Sequence, residues 1–180
     1  MSTGLSMAAP DRLEPVRRFI NTLDIEAGTD ALPTWLTTAG LRRDGPVGDL
    51  ELDRARDLRE ALRAAATANH DKAPVPAAAL AVLNDIAHRA DIAVTFTEDH
   101  AWRPTARADG IDGALGDLVL RVLDAMTTGS WPRLKVCARD TCRWAFYDTS
   151  RAATGKWCAM RLCGNRAKQE AWRARTRAAL

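Results

Sequence analysis

CARDTC at residues 137–142 and CAMRLCGNR at residues 158–166, with fifteen residues between the two hexads, hold all four cysteines of this 180-residue chain. Each cysteine pair encloses four residues. The simplest physical reading is one tetrahedral zinc bound by Cys137, Cys142, Cys158 and Cys163, because four thiolates complete the shell of a structural zinc and leave no position for water. Two disulfides, or four unrelated thiols, are the competing readings. Disulfides need an oxidising compartment, and the first residues, MSTGLSMAAP, have neither the basic start nor the long apolar stretch of a secretory signal. The even pairing favours the metal, in a cytoplasmic protein whose thiols stay reduced.

The charge is divided as unevenly as the cysteines. The chain carries a net +3, but residues 131–180 hold 12 Lys/Arg against 3 Asp/Glu, a net +9, while residues 1–130 hold 14 against 20, a net −6. A zinc with four thiolates takes only about two charges from that excess. A basic module that meets a polyanion, joined to an acidic module with another task, explains the split. Docking of the two halves on each other explains it as well. No run of eighteen apolar residues is present, which excludes a membrane-spanning helix.

Around the cysteines, Leu134 and Val136 suggest a short strand into the first pair, and Trp144, Phe146 and Tyr147 a return strand. These aromatics read as the core of a small module that metal binding helps to fold. Asp148, Thr149 and Ser150 read as turn formers, with Asp148 bonded to the loop backbone. A helix is expected to start at Cys163, where the helix dipole favours a thiolate, with Asn165 as its cap. At 100° per residue, Arg166, Arg173 and Arg177 fall on one line and Lys168 and Arg175 on the opposite flank. Ala167, Ala171, Ala174 and Ala178 run between them. With Arg143, Arg151, Lys156 and Arg161 on the loops, these cations are the candidate phosphate contacts of a DNA-binding face.

The CGNR run at 163–166, with Cys137, Cys142, FYDTSR at 146–151 and the Trp157–Cys158 pair, resembles the CGNR-type zinc finger. RRFINTLD at 17–24 is similar to the start of the helical ABATE-type domain usually found upstream of that finger. The two similarities together cover nearly the whole chain. The resemblance implies a bacterial, stress-related transcription regulator. It also suggests a polar pair, Asn21 and Asp24, at the mouth of a pocket; read from the residues alone, both are C-terminal turn residues of the first helix.

Apolar spacing through the first 130 residues predicts helices at 11–23, 33–41, 49–69, 76–90 and 111–127. Asp49 is expected to cap the third, with Leu52, Ala55, Leu58, Leu62 and Ala66 as its buried stripe. Arg56, Arg59 and Arg63 on an adjacent face are expected to be solvated or paired with neighbours such as Glu60; Arg59 and Arg63 could instead clasp an acidic ligand. Residues 92–97 and 101–106 read as a β-hairpin with Pro104 on an edge. His70, His88 and His100 show no ligand spacing and read as surface or turn residues.

The fold expected is α+β and mainly α. A tail at 1–10 precedes a helical domain at 11–130 with a β-hairpin, and a treble-clef-like four-cysteine zinc module at 131–180 ends in a helix. The function expected is DNA-binding transcription regulation, with structural zinc and no enzymatic chemistry; no phosphate loop, nucleophile elbow or HExxH run is present. The acidic domain would sense a small molecule, bind a protein partner or form a homodimer. Two alternatives stand beside this. The zinc module could grip a protein instead of DNA, or the first domain could be a small-molecule binder or enzyme with a pocket near Asn21, Asp24, Trp35 and Arg59.

Overall fold

The longest amphipathic run in the chain, residues 49–71, is the helix that most of the core packs against. The computed structural model describes residues 9–10, 12–38 and 47–178. In chain order the elements are α1 (Glu14–Ile20), a two-residue hairpin of β1 (Leu23–Asp24) and β2 (Thr29–Asp30), and α2 (Leu32–Thr38). Then come α3 (Asp49–Asp71), α4 (Ala77–Arg89), the antiparallel pair β3 (Ile92–Phe96) and β4 (Trp102–Ala106), and α5 (Gly110–Thr127). A short ribbon of β5 (Leu134–Val136) and β6 (Ala145–Tyr147) follows, and α6 (Asn165–Ala178) ends the chain. The fold is α+β and mainly helical, and the strands among the described residues form three antiparallel pairs. Most of the expected loop at 42–48, and residues 1–8 of the expected tail, lie outside the described residues. Ala9 does not fray: it is buried in the core, and its N–H donates to Glu14 Oε2 at 2.9 Å.

Helix α3 is central because its inner face is short-chained. Ala55, Leu58, Leu62, Ala65 and Ala66 are fully buried, and α1, α4, α5 and β5 all pack on it. The alanines bring the neighbouring backbones close, which raises packing density at little cost in side-chain entropy. Gly48, not Asp49, is the N-cap residue; Glu51 reaches back to accept the Gly48 N–H at 2.8 Å, so the cap comes from the third helical position. On α5, Gly116 is required by contact: a Cβ there would lie 2.3 Å from the Ala90 Cβ, where α4 hands over to β3. Helix α5 ends at Gly129 in the left-handed region (φ 74°), and Ser130 N–H closes the turn on Ala125 O at 2.9 Å.

Of the three arginines expected to be solvated or paired with neighbours such as Glu60, Arg59 and Arg63 are buried, and both pair with Glu60 at 3.1 Å. Arg63 is fully enclosed. Its guanidinium donates to the carbonyls of Ile20 and Arg143, both at 2.7 Å, and to Glu60 at 3.1 Å. Burial pulls its pKa below the ordinary arginine value, and Glu60 partly compensates. Arg59 is buried against Asp30 at 2.6 Å and Thr22 at 3.2 Å. Burial opposes ionisation of Asp30, but hydrogen bonding from Arg59 prevails and its pKa is lowered. Neither arginine is left to grip a ligand. His70 also departs from expectation: its side chain is largely covered, and its buried Nδ1 has no partner among the described residues.

The ribbon is not a separate body. Trp131, Leu134, Val136 and Ala145 belong to the same apolar cluster as Phe19, Leu58, Leu62 and Leu115. Arg63 therefore ties α1, α3 and the loop after Cys142 together through three different hydrogen-bond partners. Replacing it by Met leaves two buried carbonyls without donors, at about 1–3 kcal/mol each. Urea denaturation of Arg63→Met is expected to show a loss of about 2–5 kcal/mol, with Arg63→Lys recovering only part, because an ammonium cannot span the same fork.

Candidate metal centre

Each cysteine pair is placed by a backbone turn. After β5, Cys142 N–H bonds Arg139 O at 2.9 Å and Arg143 N–H bonds the same carbonyl at 3.0 Å, while Cys137 N–H bonds Trp144 O at 2.9 Å. The chain thus folds back between the strands with Cys137 and Cys142 facing the same point. Arg143 sits in the left-handed region at φ 47°, and the Arg63 guanidinium on its carbonyl holds it there. The second turn is a π-helical one, Met160–Gly164, that runs straight into α6. Gly164 is needed at its end, since a Cβ would press on Met160 and Trp157. Asn165 is not the cap expected from the sequence. It is already in helical conformation, its Nδ2 donates to Arg161 O at 3.2 Å, and the helical run begins after Ala159. Ala138 N–H to Lys156 O, at 2.9 Å, joins the two turns.

The result brings the four sulfurs of Cys137, Cys142, Cys158 and Cys163 within 4.8 Å of one another. Cys142 to Cys158 and Cys158 to Cys163 are both 3.7 Å. A tetrahedron of sulfurs bound at 2.3 Å has edges of about 3.8 Å, so the spacing fits one zinc and is far too long for disulfides. Cys137 and Cys163 are buried and the other two half-buried. Crowding makes the metal-free set electrostatically awkward. Hydrogen bonds from Cys142 and Cys158 pull the Cys137 thiol down to about 2, while the Cys137 thiolate pushes Cys142 up to about 12 and Cys158 higher still. One thiol ionises at the others' expense; a dication removes that conflict and lets all four serve as thiolates. The four cysteines hold one structural zinc, which supplies cross-linking and no open position for chemistry.

The loop between the pairs is organised by a buried ion pair that the sequence reading missed. Lys135 Nζ, on β5, meets Asp148 Oδ2 at 2.8 Å and Ala153 O at 2.5 Å, with both side chains almost fully buried. Asp148 also accepts the backbone N–H groups of Ser150 at 3.0 Å and Gly155 at 2.7 Å, the local bonds expected of it. Burial opposes its charge, but Lys135 and the two amides outweigh burial and its pKa is lowered.

All nine candidate phosphate contacts are at the surface. Arg143, Arg151 and Lys156 are exposed on the loops, Arg161 is exposed on the π-helical turn rather than on a loop, and Lys168, Arg173, Arg175 and Arg177 are exposed on α6. Arg166 is half-exposed and reaches Glu26 at 2.7 Å; Arg139 reaches the same carboxylate at 3.3 Å. The hydrogen bonds from Arg166 and then Arg139 lower the Glu26 pKa. The four suggested pocket residues each have a partner elsewhere. Asn21 donates to Ala145 O at 2.9 Å and accepts from Ala145 N–H at 2.7 Å, Asp24 accepts the Ala27 N–H, Trp35 packs on Phe19, and Arg59 is held by Asp30. None of these contacts links one of the four to another. Glu26, Asp30 and Lys135 gave no sequence signal, because each is an ordinary charged residue whose partner is not its immediate neighbour in the chain.

A family model described as "Putative stress-induced transcription regulator", the ABATE domain, matches residues 13–141. A second, the CGNR zinc finger, matches residues 133–176. No curated protein matches the chain significantly.

Metal analysis of the purified protein is expected to give one zinc per chain. Chelation is expected to expose amides in the two cysteine turns to hydrogen exchange while β5, β6 and α3 stay protected, because the ribbon keeps its apolar contacts. Asp148→Asn strands a buried Lys135 charge and is expected to cost about 3–5 kcal/mol in a denaturant titration. Because the native Asp148 pKa lies below the unfolded value near 4, the wild-type contribution is complete above about pH 4 and disappears as the pH falls through the native value. The Asn variant is expected to lack that acid-side loss.

Proposed function

The chain belongs to the family described as putative stress-induced transcription regulators, with a CGNR zinc finger at its C-terminal end, and on that premise we propose that it acts by binding DNA. Zinc shapes the module that grips the duplex and does no catalysis. The helical domain at residues 13–141 serves as the sensing, partner-binding or dimerising part, and the protein works in the cytoplasm.

The observation that carries this reading is helix α6. Lys168, Arg173, Arg175 and Arg177 are exposed on it, and among the described residues none of the four forms an ion pair. Among the described residues, the acidic segment leaves this helix almost untouched, and only Glu26, through Arg166, pairs with it. Cations held on a rigid helix and spaced on two flanks suit a phosphate backbone, because each neutralised phosphate releases condensed counterions. The cations Arg151, Lys156 and Arg161 extend the same charge.

Glu26 supports a second reading. Its contacts with Arg139 and Arg166 suit a basic module made to grip carboxylates, on this chain or on a protein partner. Fluorescence anisotropy with a labelled duplex separates the two. DNA binding requires an affinity that weakens steeply between about 50 and 200 mM salt. Arg173→Ala is expected to reduce the slope of log K against log salt by about one. Absence of binding, or affinity indifferent to salt, removes the DNA reading and leaves the protein-interaction one.

A further inference from the structure

Helix α6 has two long faces between its basic flanks, and only the start of one is covered. Cys163 and Gly164 are buried and Ala167 is half-buried, but Ala171 and Ala174 further along the alanine face are exposed. The opposite face carries Gln169, Trp172 and Thr176, at spacings of three and four residues, and all three are exposed. Trp172 is 60% exposed, an unusual place for the largest apolar side chain. Gln169 makes no hydrogen bond among the described residues, and Thr176 Oγ1 bonds only back to Trp172 O at 3.1 Å. At about 100° per residue, Arg173 and Arg177 lie about 65° and 105° to one side of the centre of this stripe and Lys168 and Arg175 about 75° and 95° to the other.

We propose that Gln169, Trp172 and Thr176 read base edges in the major groove of duplex DNA. This rests on the DNA-binding reading above and names the residues that would supply its specificity. A helix about 10–12 Å across with its side chains fills a groove about 12 Å wide. Seated there, cations on both flanks meet the phosphates of the two groove walls, and the stripe between them faces the bases. Gln169 has the donor and acceptor that adenine presents at N7 and N6, and the Thr176 methyl and the Trp172 ring suit the thymine methyl. The expected site is therefore rich in A·T pairs at its centre. No charged side chain lies on the stripe itself, so it supplies discrimination and little of the salt-dependent affinity.

The test is selection from a random duplex library by the full-length, zinc-loaded protein, followed by anisotropy on the enriched sequence. Wild type is expected to enrich a site containing an adenine whose substitution weakens binding about tenfold. Gln169→Ala is expected to lose that preference while binding scrambled duplex within about twofold of wild type. Arg173→Ala is expected to weaken all duplexes alike and keep the preference. Thr176→Ser, which removes the methyl group and keeps the hydroxyl, provides an independent variant, with zinc content and circular dichroism matched to wild type for each. If wild type binds no duplex, this inference and the DNA reading fall together. If it binds with a salt slope but enriches no sequence, or if Gln169→Ala and Thr176→Ser enrich the wild-type site unchanged, only this inference falls. A preference for single strands over duplex also overturns it, since Trp172 would then be a stacking platform.

Discussion

Four thiols within 4.8 Å cannot all ionise unless a cation sits among them. That constraint shapes the C-terminal quarter of the protein. Cys137 lies at the end of β5, Cys142 in the turn after it, and Cys158 and Cys163 beside and within the turn that starts α6. An ion bound to all four joins the ribbon to the helix, two elements with little else in common. Without it, only weak forces fix the direction in which α6 leaves the body, and a charged helix with no apolar face in contact would fray from its first turn.

The ion is not what holds the ribbon. A two-stranded ribbon has unpaired edges and too little apolar surface to fold alone. This one borrows both kinds of support from the helical domain. Leu134, Val136 and Ala145 enter the common core. The Asn21 amide stands beside β6 as a substitute for a third strand, bonding the Ala145 N–H and carbonyl together. Asn69 Nδ2, near the end of α3, donates to the carbonyls of Trp131 and Leu134, at 2.9 and 3.0 Å. Arg63 reaches the turn between the first two cysteines. The first cysteine pair is thus positioned from the helical domain before any metal arrives, and the second pair has to be brought to it. This division of labour explains how a family match for the helical domain can run on to residue 141 while the finger match starts at 133.

Local pattern was enough for the elements and for the zinc site. The apolar spacing of α3 and α5, the β-branched run of β3, and the paired cysteines each express their physics within a few residues, and each element is found where its pattern places it, although burial along β3 does not alternate: Val94 and Phe96 are both exposed. What escaped the pattern depends on partners distant in sequence. Arg59 and Arg63 look like helix arginines that are solvated or paired with Glu60 until Asp30, 29 residues away, and Arg143, 80 away, come alongside. Lys135 counted only as one more charge in a basic segment, yet it is buried on Asp148. Asn21 stood out through the family resemblance as a pocket residue, and its amide is used on a strand edge 124 residues on. The error over Asn165 is of a different kind: its preference for caps is real, but a π-helical turn upstream had already started the helix.

The same distinction decides what the charge asymmetry means. If the +9 of the last 50 residues existed to dock on the −6 of the rest, the cations would be spent inside the molecule, as Arg59, Arg63 and Lys135 are. Two of those three belong to the acidic segment, and Lys135 answers Asp148 within its own segment. Across the boundary, the ion pairs of the basic residues with acidic ones converge on one carboxylate, Glu26, among the described residues, and Glu26 is half in water. Exposed pairs of this kind contribute about 0–1 kcal/mol and weaken with salt. A contact so weak cannot account for so large a separation of charge, nor can it keep Arg139 and Arg166 from a stronger anion. A duplex, with a phosphate about every 1.7 Å of its axis, would displace Glu26 from both arginines, so the single bridge between the two charge regions opposes DNA binding only slightly.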